Sequence, residues 1–299
     1  MDEAEWVAVH AFYHDDLDHL LVQAVGPLVA ELADERLATD FFFVRGWDGG
    51  NHLRLRVLPE PTAERAAVEA LVGRRLGEFF TARPSTTPAR QGDYERMAAL
   101  LARWERVPRY SRSLYPDNSL MVVPYRRGRR GAAARAVRRH FVESSRIALD
   151  LLLTGTAPPQ RAAAAFEMAL VAWFHSVPEL RRLADLVARS DTDARQWCIT
   201  DADADAGAEP ERARAVALAR RIRAGGGSGR LAAWSRSTTT LREAMTAAPP
   251  YRRRVSSLFG LLDRCARLAC NRLGVPLVEE EALRRLAAEA VLALAAEEP

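Results

Sequence analysis

The sequence contains no lysine, so all 43 of its basic residues are arginines. We attribute this bias to the codon usage of a GC-rich genome, since alanine is also abundant. Arginine nevertheless keeps its charge when buried and binds oxygen atoms in pairs. The glycine tract of residues 225–229 is followed by no lysine and flanked by no strand, which excludes a phosphate-binding loop there.

Cysteine is scarce: Cys198, Cys265 and Cys270 are odd in number and lack C-x-x-C spacing. This argues against a zinc site and a disulfide framework, and it fits a reducing cytoplasm. No uncharged apolar run approaches the length of a membrane span, and the acidic residues 1–5 do not resemble a signal peptide. We therefore expect a cytoplasmic protein with no membrane partner.

Standard catalytic signatures are missing too, since no G-x-S-x-G, H-E-x-x-H or Walker sequence occurs. We therefore expect chemistry that uses no metal, nucleotide or other cofactor. The net charge of +4 and the pI of about 9.3 favour acidic partners. The basic residues Arg126, Arg127, Arg129 and Arg130 lack interleaved aromatic side chains, so we predict no nucleic-acid partner. Two interpretations of these arginines remain: they form a solvated loop, or they contact an acidic peptide.

The apolar spacing predicts an α+β fold. Strands are predicted at residues 5–13, 41–58 (a hairpin) and 119–125, and helices at residues 15–37, 61–82 and 93–107. We expect a small, mainly antiparallel sheet with a β-α-β-β opening, packed with a larger helical layer. Residues 1–299 form one predicted domain, with a sheet-containing part to 130 and a helical part from 131. Low-complexity residues 200–229 are predicted to be a mobile excursion, either a loop or a lid.

The predicted hairpin carries an unusual strand face. Leu53, Leu55 and Val57 alternate along its second strand with His52, Arg54 and Arg56, so the two sets point to opposite faces. Three potentially cationic side chains in register favour a clamp for carboxylate or polarised carbonyl oxygens. The alternatives are a pair of surface arginines and a structural histidine.

A second unusual stretch is Trp234-Ser235-Arg236, which opens a hydroxyl-rich segment after the glycine tract. A functional interpretation is an exposed tryptophan that stacks on flat heteroaromatic rings, with hydroxyl donors beside it. The alternative is a helix cap, with the tryptophan used for packing.

The hairpin pattern FFxxRxWDGGxHLRLR, at residues 41–56, resembles the signature of the C-terminal domain of class I lantibiotic dehydratases. The same domain occurs alone as thiopeptide-type bacteriocin biosynthesis proteins. The resemblance covers most of the chain, because residues 6–14, 140–146 and 271–274 also match it. It implies the fold of the lantibiotic dehydratase elimination domain.

The resemblance also implies site residues. The elimination domain uses arginines of its H-x-R-x-R strand to bind the glutamyl ester, which points to Arg54 and Arg56 as carbonyl-polarising groups and to His52 beside them. Elimination domains usually carry a segment ending ERYGG where this chain has Tyr115-Pro116-Asp117-Asn118. A turn and a place in the site are both open for this stretch. We assign proton transfer and orientation to the three polar side chains of that stretch: Tyr115, Asp117 and Asn118.

The remaining assignments fall in the helical part. Ser235 is assigned to catalysis, Trp234 and Arg236 to substrate binding, and Arg146 is a further substrate-binding candidate on a central helix that also carries His140 and Glu143. A salt-bridged structural role is the alternative for that helix.

At one position this sequence differs from the pattern of the glutamate-eliminating members, and the difference helps to decide between the branches of the family. Glutamate-eliminating members usually carry a His-Met pair shortly before Asn271-Arg272, where this chain has Arg267 and Leu268. Elimination needs a base for the α-proton, so the departure argues against it. The chain most resembles the stand-alone thiopeptide pyridine synthases.

The resemblance therefore implies an enzyme that joins two dehydroalanines of a leader-bearing, azole-containing ribosomal peptide by a formal [4+2] cycloaddition. Loss of water and of the leader peptide then gives a pyridine. Its partner is the modified precursor peptide, and a homodimer is an open oligomeric state. The alternatives are a stand-alone glutamate-elimination enzyme and a non-catalytic peptide-binding subunit.

Overall fold

The computed structural model describes residues 6–105, 107–125, 131–195, 208–248 and 255–298. The basic stretch at residues 126–130, Cys198 and the first part of the predicted excursion, residues 200–207, lie outside these ranges. The chain divides into two compact units. The first unit comprises residues 1–128 and 148–155, and the second comprises residues 129–147 and 156–299.

The first unit is built on a four-stranded antiparallel sheet, which confirms the predicted α+β class. Its strands are β1 (Val7–Phe12), β2 (Ala38–Gly46), β3 (His52–Pro59) and β4 (Ser119–Val122). Their order in the sheet is β2-β3-β1-β4, and every pair is antiparallel. The short β4 is an edge strand, which fits the nearby Pro124, because proline cannot donate to a sheet ladder.

The first unit also contains the helices α1 (Leu17–Leu20), α2 (Gly26–Asp34), α3 (Arg65–Ala82) and α4 (Gln91–Trp104). Helix α2 packs against β2, and α3 packs against β1 and β4. A π-helical turn, Leu21–Val25, joins α1 to α2, because Pro27 has no N–H to donate to the carbonyl four residues before it. Leu53, Leu55 and Val57 lie fully buried, as their alternation predicts. Burial of this apolar strand face therefore sets which way the opposite face points.

The turn between β2 and β3 depends on two glycines. Gly49 and Gly50 have φ values of +84° and +117°, a region that favours glycine. The Tyr115 ring packs directly over the Gly49 Cα, and the Tyr115 N–H donates to the Gly49 carbonyl at 2.7 Å. The hairpin turn is thus fixed by the loop that carries three of the predicted site residues.

The second unit is helical. Its helices are α6 (Pro158–Ser176), α7 (Leu180–Arg195), α8 (Ala208–Arg223), α9 (Gly229–Ala247), α10 (Val255–Leu273) and α11 (Leu277–Glu297), and α5 (Ala132–Leu153) contributes its residues before Ala148. Helix α6 is apolar along most of its length and packs against α8, α9, α10 and α11. None of the helices in the described ranges combines the length and apolar character that a membrane crossing requires.

The described part of the predicted excursion is a packed helix. Helix α8 lies against α6 and α11, and Arg212 and Arg220 pair with Glu289 and Glu297 of α11 at 2.9 and 2.5 Å. The glycine tract after it leads directly into α9. Mobility of residues 200–229 stays a prediction.

Substitution of Gly49 by alanine should destabilise the first unit. Its positive φ and the overlying Tyr115 ring leave no room for a Cβ, so we expect a loss on the order of 2 kcal/mol in the free energy of unfolding. Gly77→Ala is the matched control, because Gly77 lies in α3 with open space around it and should gain about 0.5–1 kcal/mol. Chemical denaturation of both variants measures the difference, and equal effects would contradict this account of the turn.

Candidate functional site

Strand register gathers a polar cluster on the sheet face opposite the core. Phe12, His10 and Ala8 of β1 lie opposite His52, Arg54 and Arg56 of β3, in that order. Directly opposed residues of an antiparallel pair share a face. Sequence analysis missed His10 as a member of this cluster, although the period-two alternation of β1 and its pairing with β3 could have identified it.

His52 anchors the cluster. Its side chain is fully buried, its Nδ1–H donates to the Gly50 carbonyl at 2.8 Å, and its Nε2 accepts from Arg54 Nε at 3.0 Å. Only the neutral imidazole with its proton on Nδ1 can make both of these hydrogen bonds. Burial, together with Arg54, lowers the pKa of His52 to about 4.

His10 plays the same part for the second arginine. Its Nε2 faces Arg56 Nη2 at 3.3 Å, while Arg56 Nη1 donates to the Leu55 and Val9 carbonyls at 2.9 and 3.3 Å. Burial, together with His52, Arg56 and Arg54, lowers the pKa of His10 to about 3. Burial beside Arg54 also lowers the pKa of Arg56, to about 10.

This arrangement leaves the Arg54 fork available. Its Nε is held by His52, and neither of its Nη atoms has a partner in the described ranges. Within those ranges, no carboxylate lies at ion-pair distance from Arg54 or Arg56. A partly buried guanidinium that is oriented but not neutralised is suited to bind a carboxylate or carbonyl oxygen.

The loop with Tyr115, Asp117 and Asn118 lies at the turn end of this face. The Tyr115 ring is 5.0 Å from Phe12, and 39% of the residue is exposed. Asp117 Oδ1 accepts from the backbone N–H groups of His14 and Asn118, at 2.9 and 2.8 Å. The structure thus engages Asp117 in tying the loop to the end of β1.

Asn118 is engaged in the same way. It adopts a φ of +52°, and its side-chain oxygen accepts from the Ser85 N–H at 2.8 Å. Asp117 Oδ1 and the Asn118 side-chain oxygen are thus occupied by backbone groups, while Asp117 Oδ2 is buried without a hydrogen-bond partner and Tyr115 is partly exposed.

The exposure expected for Trp234 is wrong. Its side chain is fully buried, its Nε1–H donates to the Met168 carbonyl at 2.9 Å, and its ring lies 4.6 Å from that of His140. Helical periodicity turns this position of α9 toward α6, so the ring has no free face on which a substrate could stack. Its use for packing, the alternative interpretation, is confirmed.

The polar residues of α5 differ in how deeply they are buried. His140 is buried, and its Nδ1 lies 2.9 Å from Ser237 Oγ. Burial, with a contribution from Arg272, lowers the pKa of His140 to about 3. Arg146 is exposed on the same helix, so it can contact a peptide that approaches the second unit from solvent.

Ser235 and Arg236 line a cavity of about 440 Å³ inside the second unit. Its other walls come from α6, α8 and the glycine tract that precedes α9. His175 at the end of α6 also lines it, and His175 Nε2 lies 3.4 Å from Ser235 Oγ. Sequence analysis did not select His175, because an isolated histidine near the end of a helix carries no motif.

Arg267 is the residue that the resemblance places where eliminating members have a histidine. It lies 3.5 Å from Asp263 and 3.4 Å from Glu280, so it is an ion-paired side chain and not a base. Asp263 is buried, which by itself would raise its pKa, but Arg284 and Arg267 outweigh burial and lower it. The network therefore joins α10 to α11.

Other reactive groups are few. Burial raises the pKa of Cys265 and Cys270 to about 12, which makes their thiols poor nucleophiles. In the described part of the chain, no three His, Cys, Asp or Glu side chains converge as a metal site would require.

Comparisons with known proteins agree with this architecture. The family model for the C-terminal region of the lantibiotic biosynthesis dehydratase matches residues 6–291. The fold is similar to the pyridine synthase TbtD from thiomuracin biosynthesis, with a TM-score of 0.79 and 19% identity over 98% of this chain and 100% of that one. No curated protein sequence matches the chain.

Two further solved structures share the fold. The tRNA-dependent lantibiotic dehydratase MibB from Microbispora sp. 107891 gives a TM-score of 0.56 at 18% identity, over 97% of this chain and 28% of that one. TsrL gives a TM-score of 0.55 at 15% identity, over 99% of each chain. At these identities the likeness concerns the fold.

The neutral histidines make stability sensitive to acid. Between pH 6.5 and pH 4 the unfolded chain binds a proton at His52 that the folded chain does not, so the free energy of unfolding falls as the pH falls. We expect a loss on the order of 2–3 kcal/mol from this site alone. Denaturation across this pH range measures it. His10→Gln should make the pH dependence shallower, whereas the exposed control His19→Gln should leave it unchanged, and equal slopes would contradict the assignment.

Proposed function

The chain belongs to the family of lantibiotic dehydratase C-terminal domains, and we propose that it is a cofactor-independent enzyme that forms the central pyridine of a thiopeptide. Its substrate is a leader-bearing ribosomal peptide with azoles and two dehydroalanines. One dehydroalanine and its neighbouring amide react as a 2-azadiene, and the other reacts as the dienophile. Closing the macrocycle and losing water and the leader peptide, as an amide, gives the pyridine.

The observation that carries this proposal is the ion-paired state of Arg267. A glutamate-eliminating enzyme needs a base near the end of α10, and the side chain at that position is instead bound between Asp263 and Glu280. The likeness to a pyridine synthase over the whole length of both chains supports the same branch.

Arg54 is proposed to polarise a substrate carbonyl. Its unpaired Nη atoms lie beside the neutral His52 ring, and no described carboxylate competes for them. A fixed donor in a partly buried site stabilises negative charge on oxygen without reorganisation. Arg56 supports the same charge from the neighbouring position on β3. As negative charge grows on that carbonyl oxygen during the cycloaddition, the pair stabilises it.

Tyr115 and Ser235 are proposed to handle protons, with Asp117 and Asn118 as orienting residues. Asp117 and Asn118 hold the Tyr115 loop through their backbone partners, so their contribution to the site is positional. Ser235 and Arg236 contact the peptide in the cavity of the second unit. Arg146, exposed on α5, is proposed to contact the peptide as well.

Most of the rate enhancement is proposed to come from geometry. The two alkenes are far apart in the linear peptide, so bringing them into near-attack contact converts a rare encounter into a local one. Effective molarities of such oriented reactions correspond to about 7–11 kcal/mol. Binding groups spread over the chain are suited to this task, because they restrain the peptide at more than one point.

The rival functions predict different products. The purified protein would be incubated with a leader-bearing peptide that carries two dehydroalanines among thiazoles, and separately with a glutamylated-serine peptide. Mass spectrometry should show loss of water and of the leader from the first peptide and no change in the second. Loss of glutamate from the second would overturn the proposal in favour of elimination, and binding without a mass change would favour a scaffold subunit.

Arg54→Ala should lower kcat/KM for pyridine formation by about 10²–10³-fold, because one fixed donor to the developing oxyanion is lost. Arg54→Lys should recover only part of this, since lysine offers a point charge and not a fork. The matched control Arg96→Ala removes an exposed arginine of α4 and should leave the rate unchanged. Unchanged activity in Arg54→Ala would contradict the role of the clamp.

A further inference from the structure

His175 lies between two hydroxyl groups of one helix. Its Nε2 is 3.4 Å from Ser235 Oγ, and its Nδ1 is 3.3 Å from Thr239 Oγ1. Residues 235 and 239 are one turn apart on α9, so both hydroxyls reach the same ring from the same side. The three groups form a continuous hydrogen-bonded chain, and Ser235 is the hydroxyl of the chain that lines the cavity.

The hydrogen bonds between Thr239, His175 and Ser235 run in one direction, because a neutral imidazole has one donor and one acceptor nitrogen. When Nδ1–H donates to Thr239, Nε2 is an acceptor and receives the Ser235 hydroxyl proton. The His175–Ser235 distance is longer than an optimal hydrogen bond, as is common for catalytic pairs that tighten only with substrate bound. Ser235 Oγ is then left as a proton acceptor for a group in the cavity.

The surroundings keep His175 neutral. Among the described residues, the charged groups that lower its pKa or line the same cavity are Arg242 and Arg236 from α9 and Arg223 from α8, and none of these is a carboxylate. Burial lowers the pKa of His175, and Arg242 lowers it further. Arg223 is itself paired with Glu298 at 2.5 Å. A neutral histidine is the form that can take a proton from serine.

The cavity suits an uncharged, flat segment of peptide. At about 440 Å³ it lies in the usual range for small-ligand sites. Its apolar walls are Val171, Phe174, Ile222 and Leu231, and Gly225–Gly227 form a backbone edge. Arg236 stands exposed at the wall, with no ion-pair partner in the described ranges. Amide and azole groups match this mixture of apolar wall, hydroxyl and single cation.

We propose that His175 is a positioning residue that makes Ser235 a proton shuttle for one substrate amide held in this cavity. This inference rests on the proposed pyridine synthesis, since it assigns the site of the amide-to-iminol step. The amide N–H proton passes to Ser235 Oγ, and the serine hydroxyl proton passes to His175 Nε2. The N–H electron pair forms the C=N bond, and the carbonyl π pair moves to oxygen, beside Arg236.

The return transfer completes the step. The Nε2 proton of His175 goes back to Ser235 Oγ, and the serine hydroxyl proton goes to the amide oxygen, which forms the O–H bond of the iminol. One proton has moved from nitrogen to oxygen, and both side chains are restored. No oxidant, reductant or other reactant takes part.

The test compares three variants by the pH dependence of pyridine formation. His175→Gln keeps a hydrogen-bonding side chain but cannot carry the proton, so kcat should fall about 10²–10³-fold with little change in KM. We expect the native protein to lose activity at a pH below 6.5, where His175 takes up a proton; this decline is the acidic limb of its pH profile. The remaining activity of His175→Gln should lack this acidic limb. Ser235→Ala should fall equally, and the double variant should be no worse than either single one, since the two residues act as one unit.

Thr240→Val is the matched control. Thr240 lies on the same helix with an exposed side chain, so its variant should keep the native rate and the native acidic limb. Circular dichroism at each pH separates acid unfolding from titration of the shuttle. If His175→Gln retains the native rate, or loses rate but retains the acidic limb, the shuttle is overturned while pyridine synthesis stands.

Imidazole ¹⁵N NMR tests the chain without turnover. Ser235→Ala should change the ¹⁵N shifts and the titration midpoint of His175, and Thr240→Val should change neither. Unchanged shifts in Ser235→Ala would overturn the proton chain even for an active enzyme. If the shifts change but the native protein makes no pyridine from the dehydroalanine peptide, the proposed function fails, and the catalytic shuttle that rests on it fails with it.

Discussion

The sheet face depends on one electrostatic constraint: two partly buried arginines stand side by side with no described carboxylate to neutralise them. Opposite charges would be the ordinary solution, and they would also occupy the donors. Here His52 and His10 accept hydrogen bonds from Arg54 and Arg56 instead. A neutral acceptor orients a guanidinium without cancelling its charge. The positive charge therefore remains available to a ligand, and the cost is that neither histidine can hold a proton at neutral pH.

That constraint is possible only because of the strand register. His10 lies opposite Arg54, and Phe12 lies opposite His52, so a shift of either strand by one residue would turn its own histidine into the apolar core. The register is held at the turn, where Tyr115 covers Gly49 and Asp117 binds the His14 backbone. The loop thus holds the hairpin turn in place, and the turn holds the strand register. The register in turn sets which histidine lies beside each arginine.

The features that depend on local sequence patterns, such as the alternation of side chains along a strand, could be predicted from the sequence. Alternation along β3 predicted which side chains share the arginine face, and residues 41–58 were predicted to form the hairpin that carries it. The inward position of Trp234 was not predictable in the same way, because the polar run that follows it masked the packing face of α9. His10 and His175 were missed for a related reason. Each gains its role from a partner on another element, Arg56 and Ser235, and such pairs depend on tertiary packing.

Arg267 is the residue on which the proposed choice between the two branches of the family depends. A histidine there could exchange protons, whereas an arginine keeps its proton under all relevant conditions. The structure binds Arg267 between Asp263 and Glu280, with Trp173 and Arg284 completing the contacts of Asp263. The side chain of Arg267 thereby becomes part of the packing between α10 and α11. In the proposed function, hydroxyls and a neutral histidine move the protons, which suits a reaction that rearranges uncharged amides more than one that expels a carboxylate.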